Sequence, residues 1–224
     1  MNESRGVFRV KICGVTTAAD ARVVADSGAD AIGFNFYSRS ARGVACEQAA
    51  QMASNLGPGV ARVGVFVNHS AEEIRECRRR VGLDFVQLHG DEPPEMAEEL
   101  VGLPVVRALR CRRDEWERGA TWVEAFVGAG GTLAALLVDA YDPMEYGGTG
   151  RRADGGVVAS FRARFPLVPL ILAGGLTPEN VAQVIAEVRP DGVDTASGVE
   201  LRPGVKSADK VREFVRRALA ALQG

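Results

Sequence analysis

Eight apolar, largely β-branched runs recur along the chain, each parted from the next by a stretch of helical periodicity. They span residues 8–13, 31–35, 61–67, 85–88, 105–109, 133–138, 167–172 and 192–194. Most are continuous hydrophobic segments rather than strict alternations, the pattern of a parallel strand buried on both faces. Strand–helix alternation from end to end restricts the fold to the α/β class with a parallel sheet. Sharing 224 residues among eight units leaves about 28 for each, enough for a (β/α)₈ barrel with few insertions. An open doubly wound sheet has the same periodicity, because period alone does not close a barrel, but eight repeats favour the closed form. No break in composition marks a second domain. We therefore expect residues 1–224 to form one single-domain TIM barrel.

The helical stretches carry their own start signals. Thr177 caps and Pro178 enters the first turn of a helix whose Val181, Val184, Ile185 and Val188 share one face. Ser70 with Glu73 reads as a capping box ahead of Ile74, Cys77 and Val81, and Ser207 precedes the stripe Val211, Phe214, Val215 and Ala218.

Composition excludes several functional classes. A net charge of −2 provides no broad cationic field for nucleic acid or anionic lipid. The four cysteines, Cys13, Cys46, Cys77 and Cys111, contain no Cys-x-x-Cys pair, and the chain has two histidines, His69 and His89. That spacing argues against a structural zinc site and against a disulfide framework. No apolar run approaches bilayer-spanning length and the first residues are polar. A reducing cytoplasm is the expected location, with no membrane or nucleic-acid partner.

Barrel geometry sorts the polar residues, because catalytic groups in this architecture come from the C-terminal ends of strands. Cys13, His89, Asp139 and Asp194 all end strands. A lone cysteine there is ordinarily a small buried hydrophobe. Lys11 shifts that reading, since residues two apart share a strand face and an ammonium beside a thiol favours the thiolate, a usable base. Asp139 follows an apolar run whose burial raises a carboxyl pKa and suits a general acid; its alternative role is a turn or helix cap in the segment Asp139-Ala140-Tyr141-Asp142-Pro143. The glycine-rich loops containing Gly174 and Gly175 after strand seven, and Ser197 and Gly198 after strand eight, stand where this fold binds phosphate. The loop Gly147, Gly148, Thr149, Gly150 lacks P-loop spacing and reads as a lid. Arg42 after strand two is either a bidentate carboxylate fork or a solvated loop arginine.

Taken in order, Lys11-Ile12-Cys13-Gly14, Gly33-Phe34-x-Phe36 with Ser40-x-Arg42, Val65-Phe66-Val67-Asn68, Gln87-Leu88-His89-Gly90, Gly147-Gly148-Thr149-Gly150, Leu172-Ala173-Gly174-Gly175-Leu176 with Pro178-x-Asn180-Val181, and Ser197-Gly198-Val199-Glu200 form a specific series. Over nearly its whole length the chain resembles the phosphoribosylanthranilate isomerase family, barrel enzymes of tryptophan biosynthesis. The resemblance implies an Amadori rearrangement of N-(5-phosphoribosyl)anthranilate, an aminoaldose, to the aminoketose, with no metal or organic cofactor. By the same resemblance Asp139 is the general acid and Cys13 the general base. Arg42 binds the anthranilate carboxylate, and His89 and Asp194 lie near the ribose and ring. With Lys11 these make the expected substrate-binding set, and the two glycine loops hold phosphate.

Two departures from the family pattern stand out. Ala41 replaces the usual proline before Arg42, and Asp154 is followed by Gly155 where a tryptophan is usual, which bears on loop placement and lid packing. The competing functions are a histidine-pathway phosphosugar isomerase, which would carry an aspartate where Cys13 stands, and a non-catalytic phosphate-ligand barrel. The expected partner is a small phosphorylated molecule, and the expected state a monomer or homodimer.

Overall fold

The computed structural model describes residues 7–110, 116–139 and 155–223. Strands β1 (Val10–Cys13), β2 (Ala31–Asn35), β3 (Ala61–Phe66), β4 (Phe85–Leu88), β5 (Val105–Arg110), β6 (Leu133–Asp139), β7 (Leu170–Ala173) and β8 (Gly192–Thr195) pair in chain order as a closed parallel barrel. β1 closes the ring against β8, with Lys11 opposite Asp194 and Ile12 opposite Thr195. That ladder excludes the open doubly wound alternative.

Around the barrel lie α1 (Ala18–Asp26), α2 (Cys46–Ala53), α3 (Ala71–Val81), α4 (Trp116–Gly128), α5 (Gly155–Arg164), α6 (Val181–Val188) and α7 (Ala208–Leu222). Ser70 and Glu73 form the reciprocal capping box at the start of α3, and the Ser207 hydroxyl accepts from Lys210 N at α7. A hairpin of β9 (Glu200–Arg202) and β10 (Val205–Lys206) precedes α7.

Three local expectations are corrected. The connection after β4 carries only a 3₁₀ turn, Pro94–Ala97, and the left-handed Gly102 followed by Pro104 stops the segment from continuing as a longer helix. β7 begins at Leu170 rather than at residue 167; Leu167 is 94% exposed, so its apolarity marks a surface position before Pro169. Regular α6 starts at Val181, after a turn in which the Thr177 carbonyl accepts from Asn180 N and Val181 N.

A further correction concerns the cysteines: Cys46, first residue of α2, and Cys77, buried in α3, form a disulfide with Cα atoms 5.7 Å apart. The bridge links helices 31 residues apart, a pairing that no spacing motif announces. Among the described residues, no helix is long and apolar enough to cross a membrane.

Alternation along the strands separates two packing layers. Val10, Ile12, Ile32, Phe34, Val86 and Leu88 belong to the main core cluster, with buried residues of the helices. The opposite faces point into the barrel, where Phe8, Val63, Phe85, Val106, Leu137 and Ile171 form an apolar plug near the strand N-termini. Phe8 meets Phe85 edge to face at 5.8 Å. Burying such side chains stabilises by roughly 1.5–3 kcal/mol each. Above the plug, the same inward face of β1, β4, β6 and β8 turns polar, and the functional residues begin there.

Candidate active site

A cavity of about 440 Å³ opens at the C-terminal ends of the strands, within the range of small-ligand sites. Cys13, Arg42, His89, Asp139, Asp194, Gly174, Gly175 and Ser197 all line it. Two residues of the expected set stand outside its lining. Lys11 is wholly buried beneath it and does not line it. Gly198 lies behind the wall, where a Cβ would run into the Leu176 carbonyl oxygen; the missing side chain lets the loops after β7 and β8 close on each other.

Strand register explains the arrangement around Cys13. Cys13 pairs with Gly33 on β2, and a Cβ on Gly33 would come within 2.8 Å of the Cys13 sulfur. Two residues back on the same face, Lys11 Nζ lies 2.9 Å from Asp194 Oδ1, its ladder partner on β8. Burial disfavours the Lys11 ammonium, but Asp194 and Cys13 outweigh it and raise its pKa above the usual lysine value. For Cys13 the balance runs the other way. Burial pushes the thiol up, Asp194 adds to that, and the opposing pull of Lys11 and Lys206 does not compensate. Lys11 therefore sits where the strand pattern places it, beside the thiol, but does not make Cys13 a resting thiolate.

On the other side of the cavity, His89 Nε2 lies 3.9 Å from Asp139 Oδ2. His89 Nδ1 is 2.9 Å from the side-chain nitrogen of the buried Gln87. An amide NH₂ only donates, so with this amide orientation Nδ1 is the acceptor and the ring proton sits on Nε2, facing Asp139. Burial pushes the His89 pKa down against the opposing pull of Asp139, which keeps the imidazole neutral. Asp139 is partly buried, its side chain 27% exposed, and it ends β6 as an inward residue lining the cavity; its alternative as a turn or cap falls on residues 140–143, outside the described residues.

The loops after β7 and β8 complete the mouth. Gly174 and Gly175 adopt φ of +89° and +62°, a left-handed region that favours glycine. Thr195 Oγ1 donates to the Leu176 carbonyl at 2.7 Å and ties the two loops together. No group of three His, Cys, Asp or Glu among the described residues is arranged to hold a metal ion.

Arg42 is partly exposed at the cavity but held in place. Its Nε and Nη2 donate to Oε1 and Oε2 of Glu200 at 2.8 and 2.7 Å, and its backbone N–H donates to Ser40 Oγ. Ser40 in turn accepts from Asn35 Nδ2. These contacts pin the loop in which Ala41 stands in place of the family's usual proline. Glu200 and Lys206, from the hairpin after β8, were not singled out from the sequence as site residues; the signal for them is a charged pair in a short insertion immediately after a phosphate-type loop. The lid residues Gly147 to Gly150, with Asp154, lie outside the described residues. A second cavity of about 350 Å³ shares His89 but runs toward Arg107 and Trp122, away from Cys13 and both glycine loops.

With this geometry in hand, comparison with known proteins identifies close relatives. Residues 10–217 match the family model for N-(5'phosphoribosyl)anthranilate (PRA) isomerase. The N-(5'-phosphoribosyl)anthranilate isomerase of Geobacter sulfurreducens is 44% identical over 212 residues, covering 95% of this chain and 98% of that protein. The crystal structure of phosphoribosyl anthranilate isomerase from Thermotoga maritima superposes with a TM-score of 0.83 at 40% identity, covering 96% of this chain and all of that one (100%). A phosphoribosyl anthranilate isomerase in complex with reduced 1-(o-carboxyphenylamino)-1-deoxyribulose 5-phosphate superposes with a TM-score of 0.80 at 37% identity, covering 96% of this chain and 100% of that chain.

Proposed function

The chain belongs to the N-(5'-phosphoribosyl)anthranilate isomerase family, aldose–ketose isomerases of tryptophan biosynthesis, and on that premise we propose that Cys13 and Asp139 carry the first two proton transfers of the reaction. The reaction converts N-(5'-phosphoribosyl)anthranilate to 1-(2-carboxyphenylamino)-1-deoxyribulose 5-phosphate. Asp139, protonated, gives its proton to the furanose ring oxygen while the anthranilate nitrogen lone pair opens the ring to a Schiff base. The C2′ proton next to that iminium is acidified, and the Cys13 thiolate removes it. The resulting enolamine becomes the aminoketose as O2′ loses a proton and C1′ gains one.

The observation that carries this reading is the convergence of Cys13 and Asp139 on one cavity that the two glycine loops also line. Acid and base must act at different atoms of the opening sugar, and side chains from β1 and β6 meet that need. Lys11 contributes from below: its positive charge favours the thiolate over the thiol as the proton leaves. His89 presents Nε2–H to Asp139 and favours its carboxylate after the proton has moved. Arg42 receives the aryl carboxylate, and the loops of Gly174, Gly175 and Ser197 receive the phosphate. Asp194 serves chiefly as the counterion of Lys11 and borders the ribose.

The test is steady-state turnover followed by the fluorescence of the anthranilate substrate. Cys13→Ala and Asp139→Asn each lower kcat by about 10²-fold or more, while binding of the reduced product analogue persists. A variant retaining a tenth of the parent kcat sinks the role assigned to that residue.

A further inference from the structure

We propose that Glu200 is a positioning residue for substrate selection: it grips one edge of the Arg42 guanidinium and turns the other toward the substrate's aryl carboxylate. The inference rests on the reading of Arg42 given above.

Glu200 itself is immobilised. Its side chain is 4% exposed, and Oε1 accepts from Arg42 Nε at 2.8 Å, from Lys206 Nζ at 2.9 Å and from Gly204 N at 3.3 Å. Lys206 has no exposed side-chain surface and donates a second hydrogen bond, at 3.0 Å, to the Ala196 carbonyl in the loop after β8. Neither carboxylate oxygen of Glu200 can therefore follow Arg42 if the arginine swings, and the arginine is the member that is held. Its stem is confined as well. A Cβ on Gly14 would come within 2.6 Å of Arg42 Cδ, so the arm lies against the backbone next to Cys13.

A guanidinium is planar, with five N–H donors in a fixed fork. Glu200 takes two of them, along the Nε–Nη2 edge. The remaining bidentate edge, made by Nη1 and the second hydrogen of Nη2, points about 120° away from it, the geometry a second carboxylate needs. Arg42 lines the cavity and Glu200 does not, so Glu200 acts through the arginine rather than on the substrate. The charges agree: one glutamate between two cations leaves a single positive charge for a single aryl carboxylate. Lys206 extends the effect, tying the grip on Arg42 to the loop that borders the phosphate.

The test compares N-(5'-phosphoribosyl)anthranilate with the analogue built on aniline, which lacks the carboxylate, in Glu200→Gln, Arg42→Ala and the double variant. Arg42→Ala raises KM by about 10- to 100-fold for the natural substrate, the loss of one charge-assisted pair, and leaves the aniline analogue within about twofold. Glu200→Gln raises KM about tenfold for the natural substrate alone, with kcat within about threefold, and adds nothing in the Arg42→Ala background. Equal losses on both substrates, or additive losses in the double variant, overturn the role of Glu200 and leave Arg42 intact. If Arg42→Ala fails to discriminate the two substrates, the carboxylate reading and this inference fall together. Should Glu200→Gln fold poorly because it orphans Lys206, the pair Glu200→Gln/Lys206→Met removes the stranded charge and is held to the same comparison, with thermal melting as the control.

Discussion

Replacing Cys46 with serine opens the Cys46–Cys77 bridge without hollowing the core, because Cys46 is only partly buried whereas Cys77 stays behind as a small buried thiol. The bridge closes a 31-residue loop that holds α2, β3 and most of α3. In the chain-entropy account, a cross-link removes closure entropy from the unfolded ensemble in proportion to the logarithm of loop length, which for this loop comes to about 3.7 kcal/mol at 25 °C. For a chain of this size each kcal/mol moves the melting temperature by about 2–4 °C, so Cys46→Ser melts roughly 7–15 °C below the parent. A reductant lowers the parent to the same temperature and leaves the variant where it is. Turnover at 25 °C persists, since neither sulfur lines the active-site cavity. The assay is scanning calorimetry with and without dithiothreitol, paired with a thiol count in denaturant that rises by two on reduction of the parent. A melting temperature that ignores both mutation and reductant, or an unchanged thiol count, refutes the bridge and the reasoning built on it.

Three further predictions follow from the floor of the site. Because burial and Asp194 hold the Cys13 thiol above its usual range against Lys11 and Lys206, its thiolate fraction grows only as pH rises into the alkaline range; the rate at which iodoacetamide alkylates Cys13, followed by peptide mass, therefore climbs there, and a rate flat from pH 7 upward contradicts it. Lys11→Met strands Asp194 in the interior and costs about 3–5 kcal/mol in urea unfolding; Lys11→Met/Asp194→Asn recovers part of that loss, and equal stabilities of the single and double variants count against the ion pair. Gly33→Ala forces its methyl onto Cys13, with contacts of 2.8 Å to the sulfur and 3.0 Å to Cα. It costs about 1–3 kcal/mol of stability and, if the thiol moves by about 1 Å, on the order of 10²-fold in kcat; a parental kcat in a stably folded Gly33→Ala enzyme shows that the sulfur has other room.

What the sequence made legible divides along physical lines. The eight strands were readable because burial on both faces leaves continuous apolar runs, and the inward position of Lys11 and Cys13 followed from their spacing of two. Exposure was not readable: Leu167 looked like the start of β7 and instead faces solvent at 94%. The ionisation of Cys13 was not readable for a related reason. A neighbouring ammonium can be inferred from spacing, whereas the opposing desolvation depends on depth that exists only in the fold. Pairings between distant segments were equally silent. Arg42 and Glu200 stand 158 residues apart, and Cys46 meets Cys77 without any spacing motif. Ser70 and Glu73, three residues apart, were recognisable because their interaction is local.

The seam between β1 and β8 sets a condition on how the site comes into being. Lys11 is made early and its counterion, Asp194, about 180 residues later; at synthesis rates of 5–20 residues per second that is a wait of roughly 10–40 s. Throughout it the ammonium has no buried partner, so β1 gains little by docking into a partial barrel and the floor beneath Cys13 stays open to water. A chain that lacks β8 thus lacks both the closing strand and the counterion of Lys11, and the Cys13 thiol is enclosed only when the ring shuts.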